Sequence, residues 1–168
     1  MARRNYCAGA GLISRNTLNA RALCARQAQG SCVESELIDA YLQARYWVQD
    51  SPSFCLKVGQ DSGPLRQIYR RYGVECAAFI TAFNPEGVQA NAVQNGLRHA
   101  QLQDQIRNKG YTVLRAMGCD PKGVWQAERS VLVPGLGLAE ATEIGRNFRQ
   151  NAIVWCGPEA IAQLVLLR

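Results

Sequence analysis

Cys76-Ala77-Ala78-Phe79-Ile80-Thr81-Ala82-Phe83 is a run of eight residues with one hydroxyl as its only strongly polar group. A strand with one face in water alternates apolar with polar residues. This run does not, so it reads as a strand covered on both faces. Asn84-Pro85-Glu86-Gly87 breaks it, because Asn, Pro and Gly are turn formers. Upstream, Pro64 suits the first turn of a helix carrying Leu65, Ile68 and Tyr72, which stops at Gly73. Downstream, Ala90 to Lys109 is the longest helical stretch. Val93, Leu97 and Ala100 form its apolar stripe, Leu102 and Ile106 continue the stripe, and Gly110 ends the helix.

The rest of the chain extends this pattern. Ser35 reads as the N-cap of a helix reaching Tyr46, with Leu37, Tyr41, Leu42 and Ala44 at helical spacing. Phe54–Val58 reads as a strand closed by Gly59 and the turn Asp61-Ser62-Gly63-Pro64. Tyr111–Arg115 and Ser130–Val133 read as strands, separated by a polar loop from Gly118 to Gln126. Leu138–Phe148 reads as a helix, and Ala152–Trp155 and Ile161–Leu167 as strands joined by a hairpin at Cys156-Gly157-Pro158-Glu159. The order is α-β-α-β-α-β-β-α-β-β. Two successive β-α-β units call for a parallel portion with right-handed crossovers. The expectation is a single α/β (or α+β) domain with a mixed sheet of five or six strands covered by helices.

Charge separates the first part of the chain from the rest. Arg3, Arg4, Arg15, Arg21 and Arg26 give residues 1–33 a charge of +5 with no acid, out of a net +6 for the whole chain. Residues 34–168 are therefore close to neutral, and a folded basic surface for nucleic acid is not expected. The arm has the composition of an organellar transit peptide, and equally that of a disordered extension or of a start codon placed too early. No apolar run approaches the roughly 18–20 residues that span a bilayer, and Arg15 and Arg21 interrupt any signal-peptide core. A cytoplasmic location with no membrane contact is expected.

The seven cysteines, at 7, 24, 32, 55, 76, 119 and 156, contain no C-x-x-C, and His99 is the one histidine. A zinc pattern is therefore not expected. Cys55, Cys76 and Cys156 sit in or beside apolar runs, as reduced core thiols do. Gly135-Leu136-Gly137 and Ala8-Gly9-Ala10-Gly11 lack the spacing of a phosphate loop. No metal and no cofactor are expected.

From about Glu34 to Arg168 the chain resembles an uncharacterised bacterial family of domains of unknown function, number thirty-two ninety-three. Ala40-Tyr41 through Tyr46 and Phe79-Ile80-Thr81-Ala82-Phe83-Asn84-Pro85 carry the first part of the resemblance. Asn95, Arg98, Leu102, Trp125, Glu128, Ser130, Gly145, Phe148 and Gln150-Asn151-Ala152-Ile153 carry the rest. Members usually have Trp where this chain has Phe83, and residues 1–33 fall outside the likeness. The resemblance implies a small intracellular bacterial domain and brings no established reaction.

The candidate site residues are polar groups at the ends of apolar strands. Asn84 follows the buried strand, where ligands of α/β sheets gather, and it offers both a donor and an acceptor; it also simply turns the chain before Pro85. Asn95, Arg98 and Leu102 share one helix face, so Arg98 can clamp an anion or pair with Glu128. Glu128 and Ser130 alternate on a strand and face the same side, a carboxylate beside a hydroxyl as in acid/base catalysis. Gln150 and Asn151 either end a helix or line a site.

Three functions fit these residues. The first is a binding or regulatory domain with Asn84, Asn95, Arg98, Ser130 and Gln150 as ligand contacts. The second is an enzyme using Glu128 as general acid/base. The third is an interaction module acting through the basic arm on a protein or nucleic acid.

Overall fold

The computed structural model describes residues 35–123 and 125–168. The readings placed on residues 1–33, the cysteines at 7, 24 and 32 among them, lie outside the described residues. Strand β3 (Ala77–Thr81) has its first four residues buried, because helices cover both of its faces. The other elements, in chain order, are α1 (Ser35–Gln43), β1 (Arg45–Val48), β2 (Phe54–Leu56), α2 (Gly63–Tyr72) before β3, and then a 3-10 turn (Pro85–Gly87), α3 (Ala92–Asn108), β4 (Leu114–Cys119), β5 (Glu128–Pro134), α4 (Leu138–Asn147), β6 (Ala152–Cys156) and β7 (Ala162–Leu166).

The strands form one seven-stranded sheet in the order β2-β1-β4-β5-β3-β6-β7, and every neighbouring pair is antiparallel. The sequence suggested five or six strands with a parallel portion. The added strand is β1, which the helical reading absorbed as far as Tyr46. In β1, Arg45 and Trp47 are exposed while Tyr46 and Val48 are buried, so period two takes over directly after Ala44. The parallel portion fails for a different reason. A helical crossover returns the chain in the same direction but does not make the two strands neighbours. β3 and β4 run the same way with β5 between them, and β5 and β6 run the same way with β3 between them. These interlocked split β-α-β units have the ferredoxin-like arrangement, extended by β1 and β2 at one edge and by β7 at the other.

The two faces carry different cores. On one face, Leu102 and Ile106 of α3 pack with Ala141, Ile144 and Phe148 against Ala78, Ile80, Val131 and Val133. On the other, Leu65, Ile68 and Tyr69 of α2 meet Tyr46, Leu56, Phe79, Leu132 and Val154. The stripe expected on α3 is rotated. Val93 and Leu97 are 73% and 62% exposed, whereas Asn95, His99, Leu102 and Ile106 are buried. The amino-terminal half of α3 thus turns polar groups inward.

The sheet curls around the α2 face until its edges meet. Gly59 N donates to Ala162 O (2.8 Å) and Ser62 N to Ala160 O (3.0 Å). Ser62 then caps α2, its Oγ accepting from Leu65 N at 3.2 Å, and Gly73, left-handed at φ 65, ends the helix. Tyr69 Oη donates to Cys156 O (3.1 Å), which fixes α2 at the end of the curl where β6 finishes. The opposite end, where β3 and β4 finish and β5 and β6 begin, is left for the cavity described below. Gly135-Leu136-Gly137 is the turn into α4, with Gly135 N donating to Cys76 O. Among the described residues no helix is long and apolar enough to cross a membrane.

Candidate functional site

β3 ends where Thr81 Oγ1 accepts from Phe83 N (3.0 Å), and Asn84 then adopts a left-handed conformation, φ 46 and ψ 64. Asn tolerates that region better than most residues. Both polar atoms of its side chain are engaged. Oδ1 accepts from Ala90 N (3.0 Å) and from Asn95 Nδ2 (2.9 Å), and Nδ2 donates to Glu128 Oε1 at 2.7 Å. The Asn84 backbone N–H donates to Asn95 Oδ1 (2.9 Å), and Asn95 Nδ2 also reaches Ala90 O (3.2 Å). Two amides therefore lock the β3 end to α3 and present one N–H to a carboxylate. This explains why Asn95 is buried on a helix face that would otherwise be apolar.

Glu128 opens β5 opposite Gly118 of β4. Burial pushes its carboxyl up to about 7, and the Asn84 hydrogen bond opposes that rise. Tyr41 of α1 and Tyr46 of β1 are the titratable groups that feel its charge. Both phenols are raised, first by burial, and so stay neutral near pH 7. Asn151 Nδ2 lies 3.5 Å from Tyr41 Oη, and Gln150 Nε2 donates to Phe83 O (3.0 Å) and Phe148 O (3.3 Å). Trp125, in the β4–β5 connection, lays its six-membered ring over Gly118: a Cβ added at Gly118 would stand 3.4 Å from Cη2 of Trp125. Trp125 Nε1 is shielded from solvent and has no hydrogen-bond partner among the described residues.

These groups enclose a cavity of about 720 Å³. Asn84, Asn95, Glu128, Ser130 and Gln150 all border it, together with Tyr41, Phe83, Gln89, Asn91, Trp125, Gln126 and Asn151. Among the described residues Glu128 is its one acidic side chain, and no Lys, Arg or His lines it. Ser130, 2% exposed, donates its hydroxyl to the backbone carbonyl of Glu128 (3.0 Å) and not to the carboxylate.

Arg98 lies elsewhere. Its Nε donates to Ala82 O (3.0 Å) and its Nη2 to Phe148 O (2.6 Å), and its guanidinium stacks over the Phe148 ring at 5.8 Å. It stitches the end of β3 to the end of α4 and does not border the cavity, and among the described residues it forms no ion pair with Glu128. His99 is buried against Phe83 with ring centroids 5.9 Å apart, and burial lowers its imidazole pKa.

The strap from β3 to α3 is held from outside as well. Glu86, at φ 59, receives Arg149 and Arg168 on Oε1 (2.8 and 2.6 Å), and its N–H donates to Arg149 O (2.7 Å). Those two guanidiniums hold its carboxyl below the usual range. Sequence reasoning did not single out Tyr41 or Trp125 as site residues, although both stood among the residues of the family resemblance, whereas Asn151, weighed there beside Gln150, does border the cavity. Gln89, Asn91 and Gln126 gave no signal, since polar residues in loops are unremarkable.

Residues 80–153 match the family model described as Protein of unknown function (DUF3293). The matched segment runs from β3 to the start of β6 and includes Asn84, Asn95, Glu128, Ser130 and Gln150. It is shorter than the likeness read from the sequence, and α1, β1, β2, α2 and β7 lie outside it. No curated protein and no solved structure matches the chain.

Proposed function

We propose that the protein is a small-molecule binding domain whose ligand occupies the cavity beside Glu128. The observation that carries this reading is the Asn84–Asn95–Glu128 network at the cavity wall. It fixes a carboxyl group whose remaining acceptor sites have no partner among the described residues, in a space large enough for a small organic molecule. Preorganised polar groups in a half-apolar cavity favour binding, because their ordering is complete before the ligand arrives.

Native mass spectrometry of the freshly purified full chain, compared with its denatured mass, tests the reading together with a thermal-shift screen of small metabolites. The expected result is excess native mass or a ligand-dependent rise in Tm, lost in Asn84→Ala. A clean apo mass combined with a screen in which no compound raises Tm would sink it.

One observation favours a second reading. A carboxyl held at about 7 suits a general acid/base at neutral pH. That enzyme would rely on Glu128 and a water or substrate hydroxyl rather than on Ser130, whose hydroxyl is buried and turned to a carbonyl. Substrate turnover abolished in a folded Glu128→Gln protein would distinguish the enzyme from the binding domain.

A further inference from the structure

Resting on the binding-domain reading, we infer that the cavity is a receptor for an organic cation, an amidinium, guanidinium or ammonium group on a small apolar body. The walls carry this inference by what they offer to each charge class. An anion entering the cavity finds neutral N–H donors but no Lys, Arg or His among the described lining residues, so its charge would be desolvated with no opposite charge to offset it. A neutral ligand gains ordinary hydrogen bonds from amides such as Asn91 and Gln126. A cation gains more, because Glu128 supplies a carboxylate whose position is already fixed. Asn84 Nδ2 donates to Glu128 Oε1 (2.7 Å), and Asn84 cannot rotate away because Ala90 N and Asn95 Nδ2 both donate to its Oδ1.

A carboxylate has about four acceptor sites, and one of them is taken here by Asn84. A fork of N–H donors fits the rest, as in bidentate amidinium or guanidinium pairing. The apolar body of such a ligand would rest against the rings of Tyr41 and Trp125, which also border the cavity and whose faces attract cations. The Phe83 ring is less available, because the Arg129 guanidinium already lies 5.5 Å from its centroid. Burial pushes the Glu128 carboxyl up to about 7, so near neutrality about half of it carries the proton. A bound cation stabilises the ionised form and so releases that proton. Tyr41 and Tyr46, the other titratable groups that sense Glu128, stay neutral in this range.

The test uses the full chain and three flat probes of one shape: benzamidine (cation), benzamide (neutral) and benzoate (anion), each titrated by calorimetry at pH 6 and pH 8. Benzamidine is expected to bind in preference to the other two, about tenfold more tightly at pH 8 than at pH 6, as Glu128 goes from mostly protonated to mostly ionised. Glu128→Gln, checked as folded by circular dichroism, is expected to remove both the binding and its pH dependence. Benzamide or benzoate binding as well as benzamidine would overturn the cation class while leaving the binding-domain reading standing. Benzamidine binding that survives Glu128→Gln would overturn the assignment to this carboxylate. Failure of all three probes overturns this inference alone, unless the metabolite screen is also empty, in which case the binding-domain reading falls with it.

Discussion

Asn84 and Glu128 make the same point from two sides: each is a polar group placed where its protein partners decide what it can do. Glu128 sits at about 7 in the folded chain, against ~4.3 for an exposed glutamate. The folded state therefore holds the proton more tightly than the unfolded state does. The associated stability is complete below about pH 4 and is lost as pH rises through the folded value. Above pH 7 the ionised, desolvated group costs on the order of 3 to 4 kcal/mol. Glu128→Gln keeps the shape and removes the charge. Its Tm is expected to exceed that of the parent at pH 8 by on the order of 10 °C and to match it only below about pH 4. Glu86 and Glu140, lowered by Arg149 and Lys109 respectively, act at acid pH in both proteins and cancel from the difference. Parallel pH profiles for the two proteins would refute the raised carboxyl.

Asn84 supports a second comparison, between Asn84→Ala and Asn84→Gly. Both lose the amide hydrogen bonds, but Gly takes the left-handed backbone freely whereas Ala does not. Urea unfolding is expected to give a loss of about 3 kcal/mol for Ala and about 1 kcal/mol less for Gly. Equal losses would mean that the backbone conformation carries no strain. Asn84 itself was legible in the sequence, because an Asn-Pro after an apolar strand marks a strand end. Its partners were less so, since only the fold brings residues 95 and 128 to it.

At the scale of elements, α3 and α4 show why apolar spacing located helices well and their faces poorly. Leu102 and Ile106 set the inward side of α3, but the same side continues through His99 and Asn95, where the helix meets the cavity instead of the core. Val93 and Leu97, apolar and at helical spacing, are exposed. Period alone cannot separate these cases when a helix passes from core to site. Close packing of α4 was equally silent: Gly145 faces Leu167 and Ile153 so tightly that a Cβ there would stand 2.5 Å and 2.8 Å from their side-chain atoms. Gly145→Ala is expected to destabilise by about 1 to 3 kcal/mol through overpacking. Gly96→Ala in α3, whose Cβ would meet only Arg129 Nη2 at 3.6 Å, is expected to stabilise by about 0.5 to 1 kcal/mol through helix propensity. A urea midpoint that rises for Gly145→Ala as it does for Gly96→Ala would show that the α4 contact is looser than described.

The whole molecule depends on a closure that no local pattern announces. Strands at the two edges of an open sheet leave unpaired N–H and C=O groups. Here the chain leaving β2 crosses to the start of β7, where Val58 and Asp61 bridge Ala162 and Ile161. Of the residues it meets there, Ala160 and Ala162 are fully buried, at 0% and 1% exposure, and Ile161 is half-buried. Arg66 fastens the seam from outside, donating to Glu159 O (2.9 Å) and pairing with Asp61. Gly59 and Asp61-Ser62 read in the sequence as a turn between a strand and a helix, and they are one. Their second role, as the partner of a segment about a hundred residues later, left no trace, because hydrophobic period records burial and not pairing. The curl gives the sheet a concave side with α2 at one end and the Glu128 cavity at the other, so the seam and the site belong to one shape. Hydrogen exchange tests it directly. The amides of Gly59 and Ser62 donate to Ala162 O and Ala160 O, and they are expected to be protected to the same degree as the β6–β7 ladder. The reference for an unprotected turn is Gly123, which donates to Asp120 O in an exposed loop. If Gly59 and Ser62 exchange as fast as Gly123, the edges are open in solution, and the concave face that holds the cavity lacks the closure described here.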